Sequence, residues 1–289
     1  MRPFDFLLYA GVVIGWSTSW YPLSLQMGVV PAEVSLIWRF AVAAAFMFGI
    51  ARWFGVGLRY GRAEHVRFAI LGVVLFSTNF ALYYNASLYA ASGLLAVILS
   101  TASLVNVLMV AALSRTPPPA LQLGAAVTGL AGLGLIFLPE LQMAPSVGLA
   151  ILFGGVGTLC FCTGNLLSAA TQKRGIHVLA STCWGMVYGT GFMIIVSLVR
   201  GHEFIIDPTA VYLGSLAWLV IISSVLAFGS YLTLIGRIGP GRAGYATVIF
   251  PVFALLISTI YEDYQWSALS FAGLGLVMAG NLMMIRARD

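Results

Sequence analysis

One basic side chain lies inside a long apolar run of this chain, Arg39. Its planar guanidinium matches a carboxylate in a two-pronged hydrogen bond, the first chemistry its type and place suggest. Two structural uses stand beside that one: the head group snorkels to a polar interface, or it bonds to Glu33 or a backbone carbonyl. Aromatic and amide side chains recur at helical spacing in neighbouring runs. Trp16 and Trp20 share one helical face, with Ser17 and Thr18 nearby. Asn79 and Tyr83 repeat that spacing, with Tyr84 adjacent, and Thr158, Cys162 and Asn165 follow at i, i+4 and i+7. Trp184, Tyr188 and Tyr245 complete the candidate substrate-binding set. Together they suit a small amphiphile, with aromatic faces for an apolar body and amides and hydroxyls for an ammonium and a carboxylate. Each also has an ordinary structural use, since Trp and Tyr gather at membrane interfaces and Ser, Thr and Asn bond between helices.

Equally informative is the chemistry that these runs lack. No Asp, Glu or His falls in the interior of an apolar run, so the carboxylate or His relay of a proton pump is missing. Cys160, Cys162 and Cys183 all lie in apolar runs, and the three His lie in polar segments, so neither a disulfide framework nor a metal site is expected. No phosphate-binding loop, zinc-protease helix or nucleophile elbow occurs in a suitable context. No cofactor is implied.

The elements that must hold these residues follow from composition. Of 289 residues, 61% are hydrophobic and 8% charged, against about 25% charged in ordinary soluble domains. A mean hydropathy of +0.99 excludes a soluble enzyme, a disulfide-stapled secreted domain, a disordered chain and a coiled coil. A polytopic membrane protein remains, its first apolar run read as a retained span because Trp16 and Trp20 stand where cleavage of a signal peptide would fall. A span needs about 20 apolar residues, and the runs predict ten helices, at about 4–24, 33–53, 66–88, 92–113, 120–138, 146–170, 178–199, 211–235, 243–260 and 267–286. These runs are too long for the strands of a barrel. The fold class is therefore an all-α polytopic membrane protein with ten transmembrane helices.

Orientation follows from the positive charges, which accumulate in cytoplasmic loops. With the N-terminus inside, twelve of the fourteen Lys and Arg fall on the cytoplasmic side, leaving Arg200 outside and Arg39 within a span. Both termini are thus expected in the cytoplasm, and the net charge of +5 reflects membrane orientation rather than nucleic-acid binding.

The second half echoes the first at an offset of 148 residues. Phe80-Ala81-Leu82-Tyr83 aligns with Phe228-Gly229-Ser230-Tyr231, Ala120-Leu121 with Ala268-Leu269, and Gly132 with Gly280. This divides the chain into a first five-helix repeat, 1–140, and a second, 141–289. Five is odd, so two such repeats enter the membrane with opposite topology, an arrangement recurrent in transporters that bind substrate near the midplane. Alternating access is the expected mechanism. Gly124, Gly129, Gly132 and Gly134 permit close helix approach, either within the chain or in a homodimer. Pro251 removes a backbone donor in mid-span and is the candidate gating hinge.

Several motifs then align with a known group. Trp38-Arg39-Phe40 in the second span, Tyr245-Ala246-Thr247-Val248-Ile249-Phe250-Pro251-Val252-Phe253 in the ninth, Glu262 after it, and Gly273, Gly275 and Gly280 in the tenth resemble the EamA-type exporters of the drug/metabolite transporter superfamily. The first half departs from that pattern, with Ser103 at the position equivalent to Pro251 and no acid after the fourth span. More narrowly, the chain is similar to YddG-type aromatic amino-acid exporters. That resemblance implies export of aromatic or neutral amino acids across a bacterial inner membrane. A drug or nucleotide-sugar carrier of the same superfamily is the alternative, and outside transport a membrane-embedded lipid enzyme or a structural subunit. The expected partners are a small-molecule substrate and the bilayer, with no nucleic acid.

Overall fold

The computed structural model describes residues 3–243 and 246–286, and all regular structure among them is helical. In chain order the elements are α1 (Pro3–Ser17), α2 (Trp20–Ser24), α3 (Ala32–Trp53), α4 (Arg62–Val73), the π-helical π1 (Val74–Thr78), α5 (Asn79–Ala86), α6 (Ser92–Ser100), α7 (Ala102–Ser114), α8 (Ala120–Met143) and α9 (Val147–Lys173). The second part continues with α10 (Val178–Val199), α11 (Ala210–Trp218), the π-helical π2 (Leu219–Ala227), α12 (Phe228–Ala243), α13 (Ala246–Tyr261) and α14 (Ala268–Arg286).

Over their described residues, all ten apolar runs are mainly helical. Seven of these helical stretches are long and apolar enough to cross a membrane, and Pro3–Ser17, Ile249–Tyr261 and Ala268–Met283 are shorter apolar helices. Large apolar side chains such as Val127, Leu130, Ile195 and Phe271 lie exposed on the outside of the bundle, as lipid contact demands. Helix ends follow local chemistry. Pro31 and Pro119 occupy the N-cap positions of α3 and α8, the Thr209 side chain accepts from the Tyr212 amide to cap α11, and α9 and α10 run out into Gly175 and Gly201 at φ +82° and +70°.

Four runs that read as continuous helices are interrupted, the fourth of them at Thr101 between α6 and α7. The first breaks at Thr18–Ser19, where the two hydroxyls turn back onto the carbonyls of Ile14 and Gly15 and offer the backbone an alternative to the helical ladder. The third and eighth each contain a π-helical stretch, a feature frequent at functional sites. In π1, Ser77 donates back to the carbonyls of Gly72 and Val73 at 2.9 and 2.7 Å. Shifted by 148 residues, Val74–Thr78 falls on 222–226, inside π2. The fifth run also extends past Pro139 to Met143, so Glu140 belongs to the last turn of α8 rather than to a loop.

Close approach is set by small residues. At Gly132 an added Cβ would lie 2.5 Å from the Gly273 carbonyl oxygen, and at Gly280 one would lie 2.6 Å from the Gly129 amide, so α8 and α14 cross backbone against backbone. Gly72 of α4 meets Gly185 and Gly189 of α10 in the same way. By contrast, Gly124 and Gly134 face open space. One end of the bundle, called distal below, gathers the C-terminal ends of α2 and α13 and the N-terminal end of α6. The opposite end carries Asp5, which is buried and accepts from Arg237 Nε at 2.6 Å.

Candidate functional site

The interrupted runs converge on one small cavity of about 40 Å³. That is well below the roughly 300–1,000 Å³ usual for small-molecule sites, so the cavity is closed around its own side chains and its lining must part to admit a ligand. The break after α1 places Trp16, Ser19, Trp20 and Leu23 on its wall, the turn out of π1 places Asn79, Phe80 and Tyr83, and π2 with the start of α12 places Leu219, Ser223 and Phe228. Arg39, Leu99 and Phe161 close the lining. Irregular helix at membrane depth is tolerated where it lines such a cavity, because backbone groups freed from the ladder can find other partners there.

Arg39 is 1% exposed. Its Nε donates to Ser224 Oγ at 2.9 Å and its Nη2 to Ser223 Oγ at 3.0 Å, while Nη1 lies 3.5 Å from Tyr84 Oη. The guanidinium carbon stands 4.5 Å from the ring centroid of Phe80. Among the described residues no carboxylate pairs with it. Glu33, the acid nearest in sequence, is taken instead by Arg200, with His202 Nδ1 3.5 Å away. Neither snorkelling nor a Glu33 pairing therefore describes Arg39, which is turned inward between two helices. A cation at helix centre costs about 2.5–3.5 kcal/mol on insertion scales, and here only hydroxyls and aromatic faces offset that cost.

Aromatic rings form the opposite wall. Trp20 meets Tyr83 edge-on at 5.2 Å and stacks on Phe250 of α13 at 6.3 Å. Trp16 packs between Phe228 at 5.4 Å and Tyr231 at 4.7 Å. Asn79 is 3% exposed, and its side-chain oxygen has no hydrogen-bond partner.

Of the residues singled out from sequence, Trp16, Trp20, Arg39, Asn79 and Tyr83 line this cavity. Thr158, Cys162 and Asn165 stand one layer behind it on α9. Thr158 Oγ1 and Tyr83 Oη are 2.7 Å apart, Asn165 Nδ2 donates to Tyr231 Oη at 3.3 Å, and Cys162 Sγ donates to the Ala102 carbonyl at 3.4 Å. Tyr83 and Tyr231, aligned at the 148-residue offset, thus both fasten to the same helix.

Trp184 and Tyr188, also singled out by their spacing, do not line this cavity. The adjacent Gly185 and Gly189 press that side of α10 against Phe76 and Gly72, so the aromatic face turns toward the membrane edge. There Trp184 Nε1 donates to the Leu58 carbonyl at 3.0 Å, and Tyr188 Oη lies 3.0 Å from His65 Nδ1. Tyr245 lies outside the described residues. Pro251 is buried within α13, one residue from the Phe250 ring that covers Trp20.

Sequence reading missed Ser223 and Ser224, the partners of Arg39, and Phe161 and Phe228. A signal for two of these groups was present. The Ser-Ser pair is a polar step within an apolar run, and Phe228 is the equivalent of Phe80 at the repeat offset.

Comparison with known proteins adds three findings. The EamA-like transporter family model matches residues 148–286, just under half of the chain. An uncharacterized transporter from Synechocystis sp. is 23% identical over 176 residues, covering 56% of this chain and 53% of the relative, so the chain spans about half the length of the curated relative it matches. A protein of known crystal structure, 17% identical, superposes with a TM-score of 0.71 over 98% of this chain and 96% of its own, a likeness of fold alone. The second half thus carries the pattern of a family of transporters, not enzymes, and this match with the apolar helices makes the chain a multi-pass membrane protein.

Proposed function

We propose that the whole chain is an EamA-type carrier of the drug/metabolite transporter superfamily that moves small carboxylate-bearing metabolites, aromatic and neutral amino acids foremost. The observation that carries this reading is the Arg39 guanidinium, buried on the cavity wall, held by serine hydroxyls and facing no carboxylate among the described residues. A substrate carboxylate completes its charge. The unpartnered Asn79 side-chain oxygen accepts from the ammonium, and Trp16, Trp20 and Phe228 receive an apolar or aromatic side chain. A single guanidinium suits one carboxylate better than the several charges of a nucleotide, which favour multiple cationic clamps.

Two inverted five-helix halves, 1–140 and 141–289, moving against each other about this cavity give alternating access. Support comes from the matched positions of π1 and π2, from Phe80 and Phe228 on the same cavity, and from the α8–α14 crossing at the equivalent Gly132 and Gly280. The described lining contains no carboxylate, which favours facilitative transport or coupling without an intramembrane carboxylate relay. The reading takes the chain to reside in a bacterial-type inner membrane, and the positive-inside pattern supports cytoplasmic termini. The open Gly124 and Gly134 face of α8 offers a surface for a homodimer.

Counterflow in proteoliposomes of the purified chain tests the reading. Vesicles preloaded with a mixed amino-acid pool are expected to take up labelled aromatic or neutral amino acids saturably, without a pH gradient. Failure across the panel, with thermal-shift binding of a non-carboxylate drug, replaces the amino-acid reading with the drug-carrier alternative. Accumulation driven uphill by an imposed pH gradient overturns the facilitative part alone.

A further inference from the structure

We propose that Glu262 is the latch of a distal gate, fixed to α6 and α13 as one body and released from α2 when the cavity opens at that end. The carboxylate joins three helices. Its Oε2 accepts from the Ser92 amide at 3.0 Å, from Ser92 Oγ at 2.8 Å and from Ser258 Oγ at 2.5 Å. Ser258 Oγ in turn accepts from the Gly93 amide at 2.8 Å. The first two amides of α6 are thereby satisfied from α13, and a negative charge stands at the positive end of that helix. Gly93 brings the backbones together, since a Cβ there would lie 2.8 Å from Leu255 Cα and 2.9 Å from the Ala254 carbonyl. The α6–α13 contact has no slack, and its polar groups are saturated.

The link to α2 is of another kind. Glu262 Oε1 accepts from Ser24 Oγ at 3.1 Å, and that hydroxyl divides its one proton with the Tyr21 carbonyl at 2.8 Å. Beside it the rings of Tyr21 and Tyr261 stack at 5.0 Å. One shared hydrogen bond and two ring pairs, Tyr21 with Tyr261 at the rim and Trp20 with Phe250 beneath it, therefore hold the seam between α2 and the α6–α13 body. On its other side α2 leads into Gln26, whose Nε2 donates to the Tyr212 carbonyl at 3.0 Å and to Ser215 Oγ at 2.6 Å on α11. The helices along this seam are the ones that cover the cavity: α2 supplies Trp20 and Leu23, α6 supplies Leu99, and α13 supplies the Phe250 ring stacked on Trp20. Parting α2 from Glu262 uncovers the cavity and leaves the α6 cap intact.

The inference rests on the alternating-access reading, and site-resolved accessibility separates the two. Leu23→Cys, in the full chain reconstituted in sealed vesicles, is reacted with a membrane-impermeant maleimide from each side in turn, and the labelled peptide is quantified by mass spectrometry. Adding Ser24→Ala is expected to raise labelling from the distal side about five-fold, the factor matching a hydrogen bond of about 1 kcal/mol. Glu262→Gln is expected to raise it as well, whereas Ser92→Ala, which touches only the α6–α13 body, leaves it unchanged. The latch is overturned if Ser24→Ala and Glu262→Gln both label at the parent rate, or if Ser92→Ala accelerates labelling as much as they do. Should position 23 label from neither side during active counterflow, alternating access through this cavity fails and the latch fails with it. Ser24→Ala keeps the result decisive if Glu262→Gln does not fold, because it leaves the cap of α6 in place.

Discussion

The Arg39 guanidinium donates to Ser224 across 2.9 Å, and this bond joins α3 to π2 at the cavity wall. Hydroxyls orient a guanidinium without neutralising it, so the positive charge stays available to a ligand. Arg39→Gln is expected to lower counterflow of amino acids at least about ten-fold, the loss of a charged hydrogen bond of roughly 1.5–3 kcal/mol, while thermal stability in detergent holds or rises because a buried charge is gone. Arg39→Lys retains the charge but not the fork and should fall between the two. Unchanged uptake by Arg39→Gln would return Arg39 to a purely structural role.

Trp20 stacks on Phe250 and meets Tyr83 on the same wall. Trp20→Leu keeps an apolar body but loses the ring face, worth about 0.5–1.5 kcal/mol per aromatic pair. Competition assays should show aromatic substrates weakened several-fold relative to aliphatic ones. Equal weakening of both classes would mean that Trp20 sets the volume of the cavity and not its preference.

Trp184 and Tyr188 spend their polar atoms on Leu58 and His65, away from the cavity. Trp184→Phe and Tyr188→Phe each remove one hydrogen bond, about 0.5–1.5 kcal/mol. The expected result is a lower melting temperature with the KM for every substrate unchanged. A raised KM at unaltered stability would put these rings in contact with substrate.

Gly132 and Gly134 sit two residues apart on α8 but face different surroundings. Gly132→Leu forces a side chain into the backbone of α14 and should cost upwards of about 1–3 kcal/mol, read as loss of folded protein in size-exclusion chromatography. Gly134→Leu should leave the fold intact. If it instead converts a dimer to a monomer, the open face of α8 is the homodimer surface.

Pro251 lies beside Phe250 within α13. Its ring removes one rung of the helical ladder, which suits bending of α13 as the cavity opens. Pro251→Ala is expected to slow turnover without changing binding in a thermal-shift titration, and unaltered counterflow kinetics would discard the hinge.

Much of this protein was legible in the amino-acid sequence alone. Apolar runs separated by polar or small-residue turns dictate helices, because a bilayer leaves unpaired backbone groups no water, and among the described residues seven helices are long and apolar enough to cross a membrane, with three shorter apolar ones beside them. The i, i+4 spacing of Asn79 with Tyr83 puts that pair on one side of α5, while Trp16 and Trp20, read at the same spacing, stand on either side of the break between α1 and α2; all four reach the same cavity. Spacing reports a shared face within one helix; it does not say which way that face turns. Trp184 and Tyr188 share a face as well, yet Gly185 and Gly189 turn it outward, by a backbone contact with α4 that no local pattern encodes. The same holds for Arg39. Its place inside an apolar run was readable, but its inward turn and the choice of Ser223 and Ser224 over Glu33 depended on π2, whose wider turn presents those hydroxyls 184 and 185 residues away along the chain. Helices and their apolar character are consequences of residue type and period, while the partners of a buried polar group are decided only when distant helices cross.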